Sequence, residues 1–525
     1  MRHGWFVTIG ALMGLGLSVL PVHGEPFKCP HLGGGFVFGQ EANFGSLDQM
    51  ASDTISVRNI AMNIYESLMT RDENDHPILE LAAAMHESRD HMTYTFKLRH
   101  GVHFHNGKLM TSADVAASFD RYAKVGYQRS TLDNVDHWDA PNPDTFVIHM
   151  KQAQPTFIEM LSSFSAPIVI MPAEQRDVPA LGVTEPIGTG PFQFAASVPG
   201  RYVKLKRFEG YAPNTSFQQR TGLGGYKQAC LDTVTFRIVT DPAARVAGLQ
   251  SGALQAVEDV PAASEPGLKQ DPNIVLLPMK NWWIQIASPN TSNPPTDNLL
   301  VRKAVQAALD MNEIMNAAAE GGDYTLNPGL QFPEKHADST AGKDTYNLKD
   351  PDLARKYLAQ AGYRGEPVVL LTNRDYPSIY NAALTMQQEL QAVGINAQMK
   401  VVDWPTSAQM WMNTTQGWNI FFSGWGTQPA LGPLATMQLL VQPNAAYKPK
   451  DGQDDPDLLA AWQAMTTKPT VAGRQKAFAQ MQQLVLDRVY AIPFGVLGTV
   501  QATRADVQGF VPFRVPRMAN VWLSH

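Results

Sequence analysis

Arg374 and Tyr376, in the run Asn373-Arg374-Asp375-Tyr376, are the best polar candidates for ligand recognition in this chain. A guanidinium presents a planar fork of N–H donors that matches a carboxylate bidentately, which suits an anionic group inside a cleft. The plainer reading is a surface arginine in a solvated loop. Gly424-Trp425-Gly426, followed by Gln428, sets a large aromatic between two glycines where the apolar run Ile420-Phe421-Phe422 ends. Glycine permits backbone angles that would turn Trp425 outward, as the wall of a cleft, although a ring capping the core fits the same residues. Trp282 and Trp283 point to opposite faces of a strand. Trp283 could then stack on a ligand while its neighbour packs in the core, and both rings in the core is the equal alternative.

Other chemistry is thinner. His100, His103 and His105 form a tight cluster, and on a strand the last two share a face where imidazoles could chelate a transition ion. A third ligand at suitable spacing is missing, so the segment reads as an ordinary strand and turn. No metal and no cofactor is expected. The chain contains no GxSxG elbow, no HExxH helix and no GxxxxGK loop, and His86-Glu87 lacks the second histidine of a zinc protease. A secreted hydrolase would need a triad assembled from scattered residues.

The elements that must position these candidates follow from periodicity. Between residues 345 and 423 the pattern alternates helix and strand. A helix through Leu353, Leu358 and Ala361 ends at Gly362, and an apolar strand covers 367–371. A helix through Leu384, Leu390 and Val393 stops at Gly394, and Ile395, Ala397, Met399 and Val401 alternate as a strand. A helix over about 407–412 and the strand ending at Phe422 complete the series. Such alternation predicts a parallel sheet with right-handed crossovers. Ligands of open parallel sheets bind beyond the carboxyl ends of the strands, where both Arg374 and Trp425 fall. Nearer the N-terminus, 93–99 alternates as a half-buried strand. Thr111 with Asp114 forms a capping-box pattern ahead of a helix through Val115, Phe119 and Tyr122. Gly188-Thr189-Gly190-Pro191 reads as a rigid crossing.

At 525 residues the chain exceeds one core, and about two to four structural units are expected. A net charge of −6 with 17% charged residues argues against a nucleic-acid binder. Arg2 and His3 precede an apolar run from Trp5 to Leu20 that is shorter than the ~20 residues of a membrane span. Residues 1–24 therefore read as a signal peptide cleaved after Gly24, and the mature protein as exported to the periplasm. The two cysteines, Cys29 and Cys230, are expected to form one disulfide in that oxidising compartment, with two buried free thiols as the alternative.

Several segments resemble one family. Asn63-Ile64-Tyr65-Glu66-Ser67-Leu68, Tyr94 to Arg99, Gly101 to Gly107, Thr111 to Val115 and Pro186 to Phe192 are similar to the family 5 extracellular solute-binding proteins. Val301-Arg302-Lys303-Ala304, Ala354 to Leu358, Ala361-Gly362-Tyr363 and Ala491-Ile492-Pro493 continue the resemblance in the family's order. These are the dipeptide, oligopeptide and nickel-type receptors of ABC importers. The resemblance implies an α/β, two-lobed periplasmic-binding-protein clamshell with an additional inserted domain. Lobe I would comprise 25–57, 186–285 and 494–525, the inserted domain 58–185, and lobe III 286–493. It also implies a binding protein and not an enzyme. Such a receptor takes a short peptide or peptide-like carboxylate by lobe closure and delivers it to permease subunits in the inner membrane. A monomer is expected. A nickel chelate, haem, glutathione or an opine is the alternative cargo on the same fold. In dipeptide-binding members an arginine with tyrosine two residues on holds the peptide carboxylate, which Arg374 and Tyr376 match. An aspartate three residues after the tryptophan of the Gly-Trp pair holds the amino group in those members; here that position is Gln428, a neutral amide. The disulfide also resembles one in the dipeptide-type receptors.

Overall fold

The computed structural model describes residues 25–332, 339–426, 434–441 and 455–524. The expected signal peptide, residues 1–24, lies outside them. One mixed sheet runs through the molecule. From one edge its order is Ala397–Val402, Val368–Asn373, Ile420–Trp425, Ile274–Pro289 and Ile492–Arg504. It continues through Ala256–Val257, Gly35–Gln40, Thr233–Ile238 and Tyr202–Arg207 to Phe192–Val198. Val368–Asn373 pairs in parallel with both Ala397–Val402 and Ile420–Trp425, as the alternating pattern predicts. The antiparallel strands Ile274–Pro289 and Ile492–Arg504 join this parallel part to the N-terminal part of the sheet.

Two large apolar cores flank that junction. One gathers Val305, Leu370, Met386, Phe422 and Met481; the other gathers Phe36, Phe96, Phe119, Phe146 and Phe236. A separate four-stranded antiparallel sheet lies inside 58–185, in the order Ala82–Glu87, Thr93–Leu98, Thr145–Met150, Val135–Asn142. The helix Ser112–Val125 covers one face of it through Phe119, which packs on Phe146 and Trp138. That helix opens as expected: the Thr111 N–H donates to the Asp114 carboxylate at 3.0 Å.

The glycine pair of the 188–191 crossing is required by close approach. A Cβ on Gly188 or Gly190 would fall 2.2 or 2.7 Å from the Ile64 carbonyl oxygen. His105 ties down the same crossing. Its Nδ1 accepts from the Gly188 N–H at 3.2 Å and its Nε2 donates to the Gly190 carbonyl at 3.0 Å. Burial pushes this imidazole down to about 4, so it stays neutral. Both His105 nitrogens are engaged by this crossing, while His100 is exposed beside Asp144.

Cys29 and Cys230 form a disulfide that closes a separation of 201 residues. Cross-linking a loop of that length is worth about 5 kcal/mol in the chain-entropy account. Reduction should therefore lower the melting temperature of the mature protein. The Cys29→Ser/Cys230→Ser variant should show the same loss without reductant, and equal melting of oxidised and reduced protein would contradict it.

Candidate functional site

A cavity opens where the two cores face each other across the sheet junction. Its wall on the parallel side carries Tyr376, Ile379, Trp404, Trp411, Phe421, Gly424, Trp425 and Gly426. Asp53, Arg58, Gln128 and Phe164 face them from the N-terminal side, with Trp282, Trp283 and Arg514 at the junction.

The aromatic wall is continuous. Trp282 packs on Trp283 (ring centroids 6.0 Å apart), and Trp283 meets Tyr376 edge-on at 5.5 Å. Tyr376 meets Trp404 edge-on at 5.3 Å, and Phe421 stacks between Trp404 and Trp411. Offset and edge-to-face pairs of this kind hold rings in one orientation and contribute about 0.5–1.5 kcal/mol each beyond burial. Topology explains the assembly. Tyr376, Trp404 and Trp425 sit at or just beyond the carboxyl ends of three neighbouring parallel strands. Asp375 links two of these ends by accepting the Trp404 N–H at 2.8 Å.

Two details differ from the sequence reading. Strand alternation predicts opposite directions for Trp282 and Trp283, yet both rings line the cavity. The strand register shifts between Met279 and Trp283, and Asn281 adopts φ 53°. This bulge turns the pair together. Arg514 fixes it by donating to the carbonyls of Asn281 and Trp282 at 3.0 and 2.9 Å. The second detail concerns the glycine bracket. The strand runs through Gly424 to Trp425, and neither Gly424 nor Gly426 is among the positive-φ residues. Gly424 is needed because the Trp283 ring lies on it: a Cβ there would fall 2.4 Å from the indole.

Of the residues singled out in the sequence, the cavity brings together Tyr376, Trp283, Gly424, Trp425 and Gly426. Arg374 is exposed and does not line it. Its guanidinium lies 4.8 Å over the Tyr380 ring and donates to the Tyr380 hydroxyl at 3.1 Å. Gln428 lies outside the described residues.

The charged groups of the cavity come from segments that sequence reasoning passed over. Arg58 approaches from the helix Ile55–Ala61, with its Cζ 5.6 Å from the Phe164 ring centre and Nη2 donating to the Asp53 carbonyl. Burial lowers its pKa, opposed by Asp53 and Tyr376. Asp53 is the one carboxylate among the described lining residues. It is half-buried, and desolvation pushes it up to about 6 against the opposing charge of Arg58. Four buried donors around the cavity have no hydrogen-bond partner among the described residues: Arg58 Nε, Tyr376 Oη, Trp404 Nε1 and Trp411 Nε1. Trp404 was within reach of sequence reasoning, because Asp403-Trp404 follows a third strand end of the same sheet edge. Asp53 and Arg58 carry no periodic signal.

Away from the cavity the two sides touch directly. Gln438 donates to Ser130 and Thr131 hydroxyls at 2.9 Å, and Thr156 donates to the Thr466 carbonyl at 3.0 Å.

This geometry, an aromatic chamber between two lobes, can enclose a small molecule. The family model for bacterial extracellular solute-binding proteins, family 5 (middle region), matches residues 76–448. The chain belongs to this family. Among its relatives is a probable peptide ABC transporter periplasmic-binding protein of Sinorhizobium fredii, 27% identical over 91% of this chain and 92% of the relative. A glutathione-binding protein of Salmonella choleraesuis is 28% identical over 89% of this chain and 90% of its own length. The fold matches that of a dipeptide-binding protein from Pseudoalteromonas sp. SM9913 in complex with Met-Leu. That match has a TM-score of 0.81 and 21% identity, and covers 93% of this chain and 100% of the other. The two-lobed α/β architecture is that of this family 5 receptor fold. No helix among the described residues is long and apolar enough to cross a membrane.

Proposed function

We propose that this family 5 protein is the periplasmic receptor of an ABC importer. It captures a short peptide or peptide-like carboxylate between its lobes, without turnover, and presents the closed form to the permease. The observation that carries the ligand class is the set of unpartnered buried donors around one cavity. Burying such donors unmet costs about 1–3 kcal/mol each, and an anionic acceptor entering the chamber would satisfy them. Arg58, assisted by Tyr376, is the carboxylate anchor in this reading; Arg374 is replaced in that role because its guanidinium is exposed on Tyr380. Asp53 receives an amine, which supplies from the N-terminal lobe the acid that Gln428 does not. The indoles of Trp283, Trp404, Trp411 and Trp425 select an apolar or aromatic side chain. Closure is favoured only by contacts made in the closed state, and Gln438 against Ser130 and Thr131 provides such a contact. The expected domain divisions, 25–57 with 186–285 and 494–525, 58–185, and 286–493, place both sides of this contact on different domains. The receptor works as a monomer.

The test is a thermal-shift screen of dipeptides, C-terminally amidated dipeptides, glutathione, opines and nickel chelates. Free dipeptides with an apolar or aromatic residue should raise the melting point, by about 2.7 kcal/mol of stabilisation at a hundred times the dissociation constant. Amidated peptides should not. A bound ammonium favours ionised Asp53, so the sign is fixed: affinity should fall as pH drops below about 6, and Asp53→Asn should flatten that dependence. Stabilisation by nickel chelates alone would overturn the peptide reading.

A further inference from the structure

The outward face of the four-stranded sheet in the 58–185 region carries a second constellation, none of whose members lines the cavity. His137 on Val135–Asn142 is paired directly with His149 on Thr145–Met150, and Asp139 follows on the same face as His137. Trp138 and Ile148, between them, turn to the opposite face, where Trp138 packs on Phe119. The period of two thus places two imidazoles and a carboxylate together on one surface.

We propose that His137, Asp139 and His149 bind a divalent first-row transition ion of the zinc or copper class. One atom, Asp139 Oδ2, lies 3.2 Å from His149 Nε2 and 3.6 Å from His137 Nε2. Three ligand atoms at roughly 2.1 Å from a tetrahedral ion stand about 3.4 Å apart, and these two separations bracket that value. The two rings are stacked, with centroids 4.4 Å apart and planes 13° from parallel, and the candidate ligand atoms all lie within 4.8 Å of one another.

The surroundings fit a ligand role better than a solvated polar face. His137 Nδ1 is 2.8 Å from Asp136 Oδ2. A carboxylate there can take the Nδ1 proton's hydrogen bond and leave the Nε2 lone pair for an ion, the arrangement that orients metal-bound imidazoles. Imidazole and carboxylate together suit zinc and copper, whereas calcium and magnesium take all-oxygen sets. The His137 and Asp139 side chains are each 55% exposed and that of His149 33%, so remaining coordination positions are open to water or to a donor from a partner molecule.

The experiment uses untagged, chelator-stripped mature protein and zinc chloride titrated by calorimetry. One ion per chain is expected, with affinity reduced by more than tenfold in His149→Ala and in Asp139→Asn. Asp136→Asn, which removes only the orienting carboxylate, should lower it by roughly 10- to 100-fold. Copper(II) bound at the site should show hyperfine coupling to two imidazole nitrogens. His76→Ala, in the turn between Met69–Arg71 and Pro77–Leu79, should leave zinc affinity unchanged. Circular dichroism confirms that the exposed-site variants fold. Absence of submillimolar zinc binding, or unchanged binding in His137→Ala/His149→Ala, overturns the proposal.

Discussion

Arg58→Met should remove most of the affinity for any carboxylate ligand that the wild-type protein binds. Removing one partner of a buried, hydrogen-bonded charge pair costs about 2–5 kcal/mol, or roughly 30- to 5000-fold in dissociation constant. The effect is large because the chamber around Arg58 is built of rings, with Phe164 beneath the guanidinium and Tyr376 across from it. Arg374→Ala is the informative comparison. Its guanidinium is already in solvent and held by Tyr380, so its removal should change affinity by less than about threefold, within the range of exposed ion contacts. Arg58→Lys keeps the charge, loses the fork, and should fall between the two. Calorimetric titration of each variant with the same dipeptide decides the matter. A large loss in Arg374→Ala with none in Arg58→Met would return the anchor role to the exposed loop. Since Arg58 also donates to the Asp53 carbonyl, the melting point of each unliganded variant separates a binding effect from an unfolding one.

The parallel half of the sheet was legible because its signals are local. Gly362 and Gly394 end helices through left-handed backbone, so each of these boundaries is written within a few residues. Strand order then placed Tyr376 and Trp425 at the sheet edge where the cavity opens. The parts that escaped depend on distant chain. The common direction of Trp282 and Trp283 rests on a bulge held by Arg514, over two hundred residues later. Gly424 looked like a turn residue and is a strand residue beneath an indole, a distinction that only the packed ring makes. Arg374 had the right neighbour and strand end, but Tyr380, in the first turn of the following helix, holds its guanidinium at the surface. The histidines nearest in sequence, His103 and His105, bond to backbone groups of Gly101, Gly188 and Gly190, whereas His137 and His149 meet through strand pairing. Spacing along the chain is a poor guide to ligand sets built across a sheet.

Lys227→Met should destabilise the protein by about 3–5 kcal/mol, the cost of leaving buried charge without its partner. Lys227 is the common cation of two buried carboxylates: its Nζ lies 2.8 Å from Glu66 Oε1 and 2.7 Å from Glu80 Oε1, with all three side chains below a tenth exposed. Glu66 also accepts from Thr189 and Tyr211 at 2.9 Å, and Glu80 from the Ser67 N–H at 2.8 Å. Burial works against ionisation of both acids. At Glu66 the charges of Lys227 and Arg99 outweigh it and the pKa is lowered, while at Glu80 burial and the Glu66 charge leave it raised. This network joins the Asn63–Leu68 segment to the 188–191 crossing, so two separated stretches of family resemblance meet at one buried charge centre. Without Lys227 the two carboxylates face each other and both pKa values rise in the folded state. Folded protein then binds protons more tightly than unfolded, and the destabilisation should shrink as pH falls from 7.5 toward 5. Urea denaturation of Lys227→Met at both pH values measures this, and Lys227→Met/Glu80→Gln should recover part of the loss at pH 7.5. A loss under 1 kcal/mol at pH 7.5, or one that grows on acidification, would show that the crossing is held by its glycine contacts and His105 instead.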